Sequence, residues 1–206
     1  MSRRPLANAM YAIGQVLLML GSGARGPALW LFRRAADLWP DHPHAGAWAT
    51  YLEGVCLLQR DDIEGAVEKL KRAASELPDV PALRANLGIA QTADGDYDSA
   101  IYSIEAALRD VPALARNASL WLALAWACLR TGRVPKAREA CTQAEEHGVV
   151  TPRLRLMEAF VVGMETGTMP SAVIQKTLRS VPGATPMVLD LALQLAQRLK
   201  YSPAQQ

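Results

Sequence analysis

The sequence is poor in residues that do chemistry. Among its 206 residues are three cysteines (Cys56, Cys128, Cys141) and three histidines (His42, His44, His147). The cysteine count is odd and no CxxC spacing occurs, so no zinc-ribbon or redox motif is present. The ordinary reading is small, buried apolar side chains, with a Cys128–Cys141 bridge open if the flanking helices pack. His42 and His44 stand as His-Pro-His between two helical segments. Two histidines do not fill a metal site, so they read as exposed loop residues. The stretch "GSGARG" lacks the preceding strand and following lysine of a phosphate loop. The carboxylates of "DDIEGAVEK" and "AEEHG" read as solvated helix ends and faces. No catalytic, cofactor-binding or metal-binding constellation emerges, and the chain is expected not to be an enzyme.

A charge excess is missing too. Basic and acidic residues number 22 and 20, the net charge is +2, and no block of like charge occurs. A nucleic-acid-binding domain carries a basic stripe, and none is written here. What is there is a core-forming composition, half hydrophobic and one fifth charged. The length suits one sizeable domain or two small ones. Arginine dominates over lysine and alanine is abundant, a composition that fits a GC-rich bacterial genome.

The organising feature is a repeat. "NLGIAQTADGDYDSAIYSIEAAL", residues 86–108, matches the sequence 34 residues upstream: Gly88 falls on Gly54, Asp96 on Asp62, Ala100 on Ala66, Ala107 on Ala73 and Pro112 on Pro78. A downstream shift of 37 brings Gly95 onto Gly132, Ala100 onto Ala137 and Ala107 onto Ala144, with residues 115–117 as the added linker. An upstream shift of 38 from the Ala66 unit reaches Ala28, Phe32, Ala35 and Pro40, with residues 41–46 absorbing the difference. A last unit fits at Gly167 and Ala172, but Lys176 and Arg179 stand where an apolar and a small residue are expected. Each unit reads as two helices. Leu83, Leu87 and Ile89 recur at helical spacing, "DGDYD" breaks the pattern, Ile101, Ile104 and Leu108 resume it, and Pro112 ends it. Glycine inside a helix costs about 1 kcal/mol against alanine. Gly54 and Gly88 therefore imply close helix approach.

This pattern resembles the tetratricopeptide repeat family, on Leu87, Gly88, Gly95, Tyr97, Ala100, Ala107 and Pro112 in register, with Trp121 at the family's leading aromatic position in the next unit. Arg84 and Gln91 depart from the motif. The resemblance implies an all-α, right-handed α-solenoid of stacked helix–turn–helix repeats forming a single domain over residues 1–206. Its units would fall near 9–42, 47–80, 81–114 and 118–151, with a degenerate unit at 153–185 and a capping helix near 186–200. It also implies a concave groove lined by the first helix of each pair: Trp48, Tyr51, Val55 and Leu58, then Ala85, Asn86, Ile89 and Thr92, then Leu122, Trp126 and Leu129. Asn86 matches one place of the family's carboxylate clamp. Tyr51, Val55, Ser119 and Ala123 stand at the others, so a clamp is not expected.

Function follows as an expectation. The leading reading is a non-enzymatic adaptor or chaperone-like scaffold, without cofactor, that holds an apolar or amphipathic segment of a protein partner in that groove. The alternative is a structural or assembly subunit of a larger, membrane-associated complex, docked through the apolar residues 6–20. The N-terminus itself supports two readings. Arg3 and Arg4 before an apolar run outline a secretory signal. Yet the Ala28–Pro40 helix needs a partner, and Met10–Gly21 is the candidate, which favours a retained first helix and a cytoplasmic protein over an exported or membrane-associated one.

Overall fold

The structure is a computed structural model that describes residues 3–20, 22–168, 170–180 and 197. Among these residues every regular element is helical. The chain divides into two compact units, Met1–Asp94 and Gly95–Gln206. The first holds α1 (Arg4–Met19), a short 3-10 turn (Ser22–Ala24), α2 (Arg25–Leu38), α3 (Ala45–Gln59), α4 (Ile63–Glu76) and α5 (Pro81–Asp94). The second holds α6 (Tyr97–Asp110), a 3-10 turn (Pro112–Arg116), α7 (Ala118–Arg130), α8 (Val134–Glu146), α9 (Pro152–Thr166) and α10 (Ser171–Ser180). Within each unit every helix packs on the next. The capping helix expected near 186–200 lies outside the described residues.

The small residues of the repeat are where helices meet. Ala28 and Ala35 of α2, Ala66 and Ala73 of α4, Ala100 and Ala107 of α6, and Ala137 and Ala144 of α8 are all fully buried. One large residue stands between each of the first three pairs, Phe32, Leu70 and Ile104, also fully buried. For Phe32 and Leu70, glycine on the first helix receives the side chain. A β-carbon added at Gly54 would lie 2.8 Å from Leu70 Cγ. One added at Gly14 would lie 2.8 Å from Phe32 Cε1. Gly14 is thus the counterpart of Gly54, and α1 is seated on α2 by the same device. It begins earlier than Met10, because Pro5 in its first turn presets helical φ and needs no N–H partner.

Helix ends repeat as well. The second helices end at Leu38, Glu76 and Asp110, each one residue ahead of an extended residue that precedes proline. Proline excludes the helical conformation from the residue before it. Trp39, Leu77 and Val111 accordingly turn out at φ −143°, −129° and −135°. Their N–H groups make the last turn's bonds to Ala35, Ala73 and Ala107. First helices end in a left-handed residue: Gly132 after α7 at φ 75°, Asp61 after α3 at φ 64°. The following N–H closes the cap, Asp62 to Leu57 O at 3.0 Å and Arg133 to Cys128 O at 2.8 Å. Asp62 and Asp96 then cap the next helices, accepting from the N–H of Gly65 and Ser99.

The two linkers inferred from the repeat are ordered structure. In residues 41–46, His42 is buried, not exposed. Residues 112–116 form the 3-10 turn, whose Ala115 carbonyl accepts a 2.6 Å bond from Trp121 Nε1. Ion pairs add little at the surface, but Glu53 of α3 receives both Arg33 of α2 and Lys69 of α4 and so spans three helices. Cys128 and Cys141 are free and buried. Burial pushes their thiols up to about 11 and about 12, so neither is a ready nucleophile.

Three substitutions test this packing by thermal denaturation. Gly54→Ala must displace buried Leu70 and should cost about 1–2 kcal/mol after the helix-propensity gain. Gly46→Ala in the same helix meets open space and should gain up to about 1 kcal/mol. Asp61→Gly relieves a left-handed non-glycine residue and should stabilise by about 0.5–1 kcal/mol.

Candidate partner-binding site

In the first unit α3 and α5 carry the expected lining. Tyr51 is buried, and its hydroxyl accepts a 2.9 Å hydrogen bond from Asn86 Nδ2, which also donates to Ala82 O on its own helix. That bond ties α3 to α5. Burial pushes the Tyr51 hydroxyl above its ordinary pKa, while the Asn86 amide and Arg25 pull it partly back. Val55 and Ala85 are also buried. Half-exposed side chains lie beside them: Trp48 and Leu58 on α3, Asn86, Ile89 and Thr92 on α5. Trp48 stacks on Phe32 at 5.9 Å and meets Tyr51 edge-on at 5.6 Å. Thr92 returns its hydroxyl to Gly88 O. Asn86, Ile89 and Thr92 follow one another at three-residue steps, so they form a single strip along α5.

In the second unit α7 carries the rest. Leu129 is fully buried, whereas Leu122 and Trp126 are half-exposed. Arg130, one turn after Trp126, lays its guanidinium 5.8 Å from the Trp126 ring and 5.3 Å from Tyr97 of α6. This places a cation between two aromatic faces. Sequence reasoning missed Arg130, although the Trp126–Arg130 spacing of four on a helix was a usable signal. It also gave little weight to α9 and α10. These border an open cleft of about 920 Å³ with Val150, Val162 and Val173 on its apolar wall and Arg155, Glu158 and Lys176 among its polar residues. The weak repeat match there concealed it.

His42, set aside as a loop residue, is a structural cap. Its Nδ1 accepts the N–H groups of His44 at 3.2 Å and Ala45 at 3.1 Å, while Tyr11 of α1 and Trp39 lie against the ring at 4.7 and 5.1 Å. An Nδ1 that accepts must be unprotonated, so the neutral ring is the one that caps α3. Burial first, then His44, lowers its pKa below the ordinary value.

Helices stacked in pairs on shared small residues, with half-exposed strips on their first members, define a helical-repeat protein. Such repeats present extended surfaces to other macromolecules. The profile "Tetratricopeptide repeat" matches residues 85–148, so that stretch carries tetratricopeptide repeats. Solved structures of the same fold include PilF of Pseudomonas aeruginosa, with 16% identity, a TM-score of 0.58, and 99% of this chain and 95% of that one covered. A MamA RS-1 double mutant follows at 17% identity and TM-score 0.54, covering 95% and 97%. TTC0263, a thermophilic TPR protein of Thermus thermophilus, shares 24% identity at TM-score 0.47 over 94% and 99%. Among curated proteins none matches.

The histidine cap sets a pH dependence. The native state binds fewer protons at His42 than the unfolded chain does, so its stabilisation is complete above the unfolded pKa, near 6.5, and is lost as pH falls below it. The melting temperature should therefore drop on acidification through that range. His42→Asn, which keeps a capping acceptor without titrating, should flatten the drop.

Proposed function

We propose that this protein is a non-enzymatic interaction scaffold that holds an apolar or amphipathic segment of a partner protein against the first helices of its repeats. The contacting side chains would be Trp48, Leu58, Asn86, Ile89 and Thr92 in the first unit, and Leu122 and Trp126 in the second. Tyr51, Val55, Ala85 and Leu129 would act beneath them by fixing their positions. One observation carries the reading. On α3, α5 and α7 the core is already complete, yet each helix keeps a half-exposed strip of apolar and amide side chains. Aromatic and aliphatic residues of this kind anchor helical or extended peptides.

A second reading is favoured by a different observation. The outward side of α1 is apolar and exposed, which suits docking of the protein into a larger assembly through that helix.

Affinity purification of the full chain, with quantitative identification of what accompanies it, tests the first reading. Ile89→Glu combined with Trp126→Glu should reduce recovery of the principal partner at least tenfold while circular dichroism shows an unchanged fold. These positions are preferable to Tyr51, whose buried ring would carry a charge into the core. Unchanged recovery from the folded double variant would reject the contact assignment.

A further inference from the structure

The helix α1 uses only part of its circumference inside the first unit. Ala7 and Gly14 face inward and are buried, Gly14 against Phe32. Its outward arc is apolar along its whole length. Leu6 is 54% exposed, Ile13 52%, Val16 57%, Met19 84% and the C-cap Leu20 74%. Ala9 and Ala12 fill the spaces between them, and among the exposed positions of the helix only Arg4 and Asn8 are polar. A contiguous apolar face of this extent marks an interaction surface.

Charge indicates what covers it. The first 36 residues contain Arg3, Arg4, Arg25, Arg33 and Arg34 and no Asp or Glu. Arg33 and Arg34 are compensated by Glu53 and Asp37. Arg3 and Arg4 stand before and at the start of α1, with the Arg4 guanidinium 5.1 Å from the Trp39 ring, so the N-terminal end of the apolar arc carries two cations, while Arg25, after its end, is half-buried and turned toward Tyr51. The first turn of α1 holds no acidic residue. Two arginines at a helix N-terminus oppose the helix dipole. They make electrostatic sense beside an anionic surface. A second copy of this chain would bring arginines and no carboxylate to the rim of an α1–α1 contact. Sixteen residues span about 24 Å, short of the roughly 30 Å hydrocarbon core, and among the described residues no helix is long and apolar enough to cross a membrane.

We infer that α1 is an interfacial membrane-docking helix: it lies in the plane of an anionic lipid bilayer with Leu6, Ile13, Val16 and Met19 in the acyl boundary and Arg3 and Arg4 at its N-terminal end against lipid phosphates. This rests on the second reading above, that α1 docks the protein. A packed helix with an apolar face and a cationic N-terminal end combines the two signals that stable peripheral binding requires.

Flotation of the full chain with vesicles tests it. The protein should rise with vesicles of equal phosphatidylcholine and phosphatidylglycerol and stay behind with phosphatidylcholine alone. Ile13→Glu with Val16→Glu, both at exposed positions and leaving the circular dichroism unchanged, should abolish flotation. Arg3→Gln with Arg4→Gln should weaken partitioning about tenfold or more, as should high salt. Absence of flotation by the wild type, equal binding to both kinds of vesicle, or wild-type flotation by the folded glutamate variant would each overturn the inference. If vesicles fail to bind while the glutamate variant loses a self-association or a co-purifying protein that the wild type keeps, docking through α1 stands and the lipid assignment falls. If the variant changes neither, both fall.

Discussion

The contact on which this architecture depends is the seating of one large side chain against a glycine on the neighbouring helix. Leu70 reaches the backbone of α3 at Gly54, and Phe32 reaches the backbone of α1 at Gly14. A helix pair held at that distance leaves room for nothing larger than alanine on either side of the inserted residue. The fully buried Ala28, Ala35, Ala66 and Ala73 follow from it. The arrangement sets helix separation by backbone contact, so it tolerates wide variation elsewhere on each helix. That tolerance lets outward positions differ from one pair to the next while the stacking stays the same.

Turn and cap chemistry serves the same end. Helix pairs can stack regularly only if each helix stops at a defined residue. Proline two residues beyond α2, α4 and α6 stops the second helices, and a left-handed residue stops α3 and α7. Where the chain between pairs lengthens, the added residues are put to structural use. His42 caps α3 with its ring nitrogen, and Ala115 offers its carbonyl to the buried Trp121 indole. The longer connections are thus parts of the core.

Polar groups decide which surfaces remain available. Asn86 spends its amide on Tyr51 and on its own helix, which makes it a brace as well as a surface residue. Arg130 is held over aromatic rings and Arg33 over Glu53, so these cations are positioned before any partner arrives. On α1 the balance differs. Its inward face is satisfied by packing and its outward face has almost no polar group, so burial against something outside the unit is the largest favourable change open to it.

The sequence alone determined the fold class, because the periodic small residues, the prolines and the turn residues act locally or through the backbone. Gly54, Gly95, Asp62 and Pro78 state their roles by type and spacing. It also pointed to the helices proposed to carry the site. It could not determine rotation about each helix axis, since apolar residues at neighbouring positions look alike until packing selects among them. The tertiary structure decided that Tyr51, Val55, Ala85 and Leu129 turn inward while Trp48, Ile89 and Trp126 remain half-exposed. It also decided the two cases where a residue's type was misleading. His42 is drawn into the core because its Nδ1 finds two backbone donors there. The apolar side chains of α1 stay outside because only its Ala7 and Gly14 face is turned onto the neighbouring helices.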